Sequence, residues 1–144
     1  MRILQYGLVS LFILIDISSN GQDWKLYADS AKIFEGQRKA DLAIKYYDHA
    51  IALLKTDSLG TLTYGKLITD LAIFYGNRAQ YQKAEPLFLE AMEVRIKIFG
   101  KESESYAEIC NNLGLLYNRM GQYSKSESLL FEALEIRGKI SGKN

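Results

Sequence analysis

One cysteine, one histidine, one proline and one tryptophan among 144 residues remove several chemistries at the outset. A single thiol, Cys110, cannot close an internal disulfide, so the chain must be held by packing alone. His49 stands without a second histidine or a cysteine at ligand spacing, which excludes the usual zinc motifs and an imidazole-centred acid–base pair. No glycine-rich phosphate loop, nucleophile elbow or metal motif occurs, and no strand-like alternation is seen. Net charge is also nearly absent. The 18 basic and 17 acidic residues are interspersed and leave a formal charge of +1, too little field to gather nucleic acid or an anionic membrane. Catalytic residues, cofactors, metals and nucleic-acid partners are therefore not expected.

Long apolar runs are scarce too, with one exception at the start. Met1 and Arg2 precede an apolar run from Ile3 to Ile15, followed by Asp16 and the small polar stretch Ser18, Ser19, Asn20, Gly21. A membrane-spanning helix needs about 20 apolar residues, so this shorter run has the outline of a secretory signal. Residues 1–21 are read as a signal peptide cleaved after Gly21, which predicts an exported, periplasmic or secreted protein. Left uncleaved, the run would serve as an anchor. No cysteine follows it, which excludes a lipid-modified cysteine there. Residues 22–144 suffice for one modest domain, with no expected membrane partner.

What fills that domain is self-similarity. Shifted by 42 residues, Tyr75 falls on Tyr117, Tyr81 on Tyr123, Lys83 on Lys125, Glu85 on Glu127, Ala91 on Ala133, Arg95 on Arg137 and Ile98 on Ile140. A weaker copy lies upstream at a shift of 41, with Ala31 on Ala72, Phe34 on Tyr75, Ala43 on Ala84, Tyr47 on Phe88 and Ala50 on Ala91. A period in this range marks a solenoid in which each unit buries its apolar face against the next. The repeats span about 24–55, 62–99 and 104–140. Within them, apolar spacings of three and four predict helices at about 24–36, 40–55, 62–78, 81–98, 103–119 and 123–140. Gly60, Gly100 and Gly121 fall where helices should stop, and Pro86 falls early enough in its helix to cause a mild bend. Small residues at Ala72, Gly114, Ala84, Ala91 and Ala133 allow close helix approach, while Tyr75, Tyr117, Phe88 and Leu130 fill the space beside them.

The residue types carry a resemblance. The pattern Cys110-x-x-Leu113-Gly114-x-x-Tyr117 with Gly121-x-Tyr123, Leu130 and Ala133, and its copy Ile68-x-x-Leu71-Ala72-x-x-Tyr75 with Ala84-x-x-x-Phe88 and Ala91, resemble the tetratricopeptide repeat. The phrases Lys83 to Leu87, Glu90 to Arg95, Asn111 to Gly114 and Glu132 to Arg137 resemble its long-repeat branch of about 42 residues, seen in kinesin light chains. The resemblance implies an all-α fold, a right-handed superhelix of three helix-turn-helix repeats. It also implies a non-enzymatic scaffold that binds a peptide or partner protein in a groove lined by the first helix of each pair.

Transferred to this chain, that groove draws on Lys66, Thr69 and Ile73 in the second repeat and on Glu108, Asn111, Leu115 and Asn118 in the third, with Asn112 and Arg119 beside them. Asparagine offers donors and an acceptor, suited to the backbone of an extended peptide. Asn111 and Asn112 would serve equally as interhelical hydrogen-bond partners. The alternative reading makes the array a sensor or recruitment segment at the front of a longer signalling or protease-effector protein. Cys110 occupies a packing slot, and His49 with the recurring Glu85, Glu90, Glu93, Glu127, Glu132 and Glu135 is expected on solvated faces. An apolar last helix without a polar closing face predicts self-association through Leu130, Leu134 and Ile140.

Overall fold

The computed structural model describes residues 23–55 and 61–142. They form six helices: α1 Asp23–Gly36, α2 Ala40–Lys55, α3 Thr61–Asn77, α4 Tyr81–Phe99, α5 Glu104–Arg119 and α6 Tyr123–Ser141. The closest pairings are α1 with α2, α3 with α4 and α5 with α6, and the resulting hairpins stack through α2 on α3 and α4 on α5. The fold is all-α, a solenoid of three helical hairpins. The expected stop at Gly60 and the apolar run 3–15 lie outside the described residues.

Alanine sets the spacing inside each hairpin. Ala31, Ala43, Ala50, Ala72, Ala84 and Ala91 are fully buried, and Tyr47, Ile68, Ile109 and Leu113 fill the space between them. Gly114 goes one step further than alanine: a Cβ there would sit 2.9 Å from Cγ of Leu130, so α5 and α6 approach more closely than its counterparts at Ala31 and Ala72 require. Cys110 is fully buried in the same core, where burial raises its thiol pKa and keeps it protonated.

The three hairpin turns share one design. Arg38, Ala79 and Gly121 all take positive φ, at 59°, 57° and 72°. Each donates its N–H to the carbonyl three residues back, and the next residue reaches five back: Lys39 to Phe34, Gln80 to Tyr75 and Gln122 to Tyr117. This double bond pattern is a Schellman ending, which satisfies orphaned carbonyls at the cost of one left-handed residue. Glycine meets that demand without Cβ strain only at Gly121. Ala79→Gly is therefore expected to stabilise the protein by about 0.5 to 1 kcal/mol, relief of the left-handed penalty exceeding the added unfolded-state entropy. Urea unfolding would measure it, and a loss of stability would contradict the assignment of the turn.

Tyrosine hydroxyls tie the helices together. Tyr64 donates to Glu90 and Tyr106 to Glu132 inside the second and third hairpins, while Tyr117 donates to Glu85 across the junction between them at 2.8 Å. Burial, then the hydrogen bond to Glu85 and its charge, push the Tyr117 pKa up to about 12. The ring of Tyr117 also lies under the ammonium of Lys125, as that of Tyr75 lies under Lys83, a pairing that recurs at the repeat spacing. Glu85, Glu90 and Glu132 are thus half-buried acceptors and not solvated residues, a correction to the sequence reading; Glu93, Glu127 and Glu135 are exposed as expected.

Candidate interaction surface

Alongside its buried side, the first helix of every hairpin carries a largely uncovered stripe. Steps of four, three and four residues generate that stripe three times: Lys25, Asp29, Lys32 and Gly36 on α1; Lys66, Asp70, Ile73 and Asn77 on α3; Glu108, Asn112, Leu115 and Arg119 on α5. The stripes adjoin in register. Lys32 pairs with Asp70 at 3.0 Å, and Arg119 donates to Asn77 at 3.2 Å. Between the first two stripes lies a cleft of 410 Å³ lined by Lys32, Glu35, Gly36, Tyr47, Asp70 and Ile73. The Tyr47 hydroxyl donates to Glu35 at 3.2 Å at its base. Burial, reinforced by the charges of Glu35 and Asp70, raises its pKa and keeps that hydroxyl neutral.

The surface is ribbed and mixed in character. Ile73 and Leu115 stand in the same row of neighbouring stripes, 38% and 46% exposed, far more than the other apolar residues of α3 and α5 except Leu62. Around them are Lys66, Asp70 and Asn77 on one helix and Glu108, Asn112 and Arg119 on the next. Such a face offers an apolar strip with polar groups on both sides. Exposed aliphatic side chains set among donors and acceptors are the usual composition of a peptide-binding surface.

Of the nine residues expected in the groove, six occupy the stripes: Lys66, Ile73, Glu108, Asn112, Leu115 and Arg119. Asn111 and Asn118 lie along the margin of α5 beside Gly114, the side facing α6, with Asn111 half-buried and Asn118 exposed. Thr69 does not belong. It is 4% exposed, and its hydroxyl donates at 2.7 Å to the carbonyl of Gly65, one turn back in its own helix. The resemblance that places Lys66 and Ile73 in the groove also admits Thr69; the buried Ala28 at the equivalent position of the first repeat marks a position that turns inward, and its counterpart in the third repeat, Asn111, is half-buried.

Two features escaped the sequence reading. The stripe continues into the first repeat through Lys25, Asp29 and Lys32, and Arg95 is buried. The Arg95 guanidinium, 6% exposed for the whole residue, donates to the Ser105 carbonyl at 2.9 Å, the Ser105 hydroxyl at 3.2 Å and Glu108 at 2.6 Å. It therefore latches α4 to the next hairpin and holds the carboxylate of Glu108, one of the stripe residues, in place. His49 is exposed as expected, yet its ring stacks on Tyr27 at 5.4 Å between centroids and its Nδ1 lies 2.7 Å from the carbonyl of Lys45.

Among the described residues no group of three or more His, Cys, Asp or Glu is gathered to hold a metal, and no helix is long and apolar enough to cross a membrane.

Comparison with known proteins agrees with this architecture. No curated protein matches the sequence. Among solved structures, the crystal structure of BtubC (BKLC) from P. vanneervenii superposes with a TM-score of 0.77 at 21% identity, over 86% of this chain and 50% of that one, so the present chain spans half the length of its structural relative. A family model described as tetratricopeptide repeat matches residues 63–139, more than half of the chain. With three hairpins, the small-residue contacts and the repeated turns in place, the chain belongs to the tetratricopeptide repeat family, whose fold is a scaffold for protein–protein interaction.

Proposed function

We propose that this protein is a non-enzymatic scaffold that holds an extended segment of a partner protein across the stripes of α1, α3 and α5. The observation that carries the reading is the exposed pair Ile73 and Leu115, in register on neighbouring helices and bordered by Lys66, Glu108, Asn112 and Arg119. An extended peptide places alternate side chains on the apolar row while its backbone meets the asparagines at the margin. The recurrent glutamates Glu85, Glu90 and Glu132 are engaged by tyrosines, which suits a structural role for them.

The test begins with a random peptide library panned against the immobilised chain, followed by calorimetry with the selected peptide. Ile73→Asp with Leu115→Asp is expected to weaken binding by tenfold or more, since each substitution removes buried apolar contact and adds a charge. Asn111→Ala with Asn118→Ala is expected to weaken it about five- to 150-fold through two lost hydrogen bonds. Both double variants should melt near the parent temperature because the altered groups are exposed or marginal. Selected peptides indifferent to both changes would remove this surface from consideration.

We also propose that the protein is exported, from the basic start, apolar run and small-residue exit of residues 1–21. Intact-mass measurement after expression in a bacterial host should find a chain beginning near Gln22 in the soluble exported fraction. A full-length mass confined to membranes would favour retention as an anchor instead.

A further inference from the structure

The first and last described helices expose the positions that join the internal hairpins. On α1, Leu26 and Ile33 are 57% and 52% exposed. Their repeat equivalents are Leu67 and Phe74 on α3 and Ile109 and Leu116 on α5, all four at most 4% exposed. That burial is supplied by the preceding hairpin: the Phe74 ring lies 6.2 Å from the ring of Tyr47, and Leu116 reaches within 3.4 Å of where a Cβ on Gly76 would stand. At the other end, Tyr123 and Leu134 on α6 are 70% and 67% exposed, whereas Tyr81 and Met92, their α4 equivalents, are half-buried. Leu130 and Ile140, expected to be sticky, are half-buried; Tyr123 takes their place beside Leu134.

We infer that the α6 face of one molecule docks on the α1 face of a second copy, continuing the internal hairpin junction from one molecule into the next. The chain contains the template for this contact twice, in α2 on α3 and α4 on α5. A heterologous contact of this kind joins unlike faces and grows in one direction. Charge sets its strength. At the second junction Arg95 meets Glu108; at the first, the equivalent positions hold the buried Leu54 and the exposed Lys66, so an apolar residue stands in for the arginine and a base for the glutamate. Between molecules the pair becomes Arg137 and Lys25, two bases, with Arg137 already bound to Glu104 at 2.9 Å in its own repeat and Asp29 one turn from Lys25. The apolar faces match while the latch is reversed, which makes the association weak and strengthened by salt.

Light scattering and sedimentation of the purified chain over a concentration series, with end-blocked variants, test the arrangement. The parent should gain mass with concentration, more so at high salt. Leu26→Glu blocks the α1 face and Leu134→Glu the α6 face, with Ile33→Glu and Tyr123→Glu as second variants at each end. Each alone should remain monomeric, and an equimolar mixture of the two kinds should form a pair and stop there, since one free face of each sort remains. Lys25→Glu, which supplies the missing latch carboxylate, should tighten self-association about fivefold or more. A parent that stays monomeric at its highest soluble concentration overturns the inference. So does a Leu26→Glu protein that pairs with itself, which would signify a symmetric contact between α6 faces, or a mixture that remains monomeric.

Discussion

Leu113→Ala should lower the unfolding free energy by about 2 to 5 kcal/mol, the range for a buried leucine whose cavity cannot collapse. Leu113 is 1% exposed at the middle of α5, in the leucine slot that Leu71 occupies one repeat earlier. Its neighbours on the inner side of the helix, Ile109, Cys110, Leu116 and Tyr117, are themselves buried and already engaged, so none can move into the vacated space without opening another gap. The destabilisation should appear in urea unfolding as a shift in midpoint at constant slope. Leu115→Ala is the control: two positions along the same helix but 46% exposed, it should change stability by less than about 0.5 kcal/mol. Similar losses for the two leucines would show that α5 is rotated from the position described.

Ala91→Leu should cost about 1 to 3 kcal/mol by the opposite mechanism, overpacking. Ala91 is fully buried on α4, as are its equivalents Ala50 and, nearly so, Ala133, and a side chain three carbons longer must drive α3 and α4 apart. His49→Ala provides the comparison. His49 is exposed, but it stacks on Tyr27 and contacts the Lys45 carbonyl, so its loss is expected to be measurable and to remain below about 1 kcal/mol. Thermal melts followed by circular dichroism rank the two variants. Equal midpoints would mean that the alanine is not at a helix contact and that the repeat alignment is out of register.

Helix positions and the small-residue contacts were legible because their determinants are local or periodic. A buried face recurs every three or four residues, and a unit that recurs after 42 shows the same slot twice: Ala91 and Ala133, Tyr75 and Tyr117, Leu71 and Leu113. The turns were legible only where glycine marks them. Gly121 announces a left-handed residue, whereas Ala79 and Arg38 adopt the same conformation without any sequence sign, because the two hydrogen bonds of the helix ending outweigh the strain. In the candidate site, the family resemblance pointed to the helix face on which Ile73 and Leu115 are exposed but could not resolve its edge. Thr69 lies beside Lys66 and Ile73 on the helix, yet it is buried, and its hydroxyl donates to the Gly65 carbonyl of its own helix.

The sequence by itself determined the all-α class, the three-hairpin repeat and the absence of disulfide support, since each follows from composition or from spacings of three, four and 42. Tertiary structure alone decided which polar residues serve the scaffold. Glu90, Glu132 and Arg95 have the composition of a solvated helix surface, but their partners lie 26, 26 and up to 13 residues away, across contacts set by how one helix crosses the next. Helix period fixes the direction in which a side chain leaves its axis. Whether that direction meets water, a tyrosine hydroxyl or the following hairpin depends on the position of a second helix, which no spacing within the first encodes.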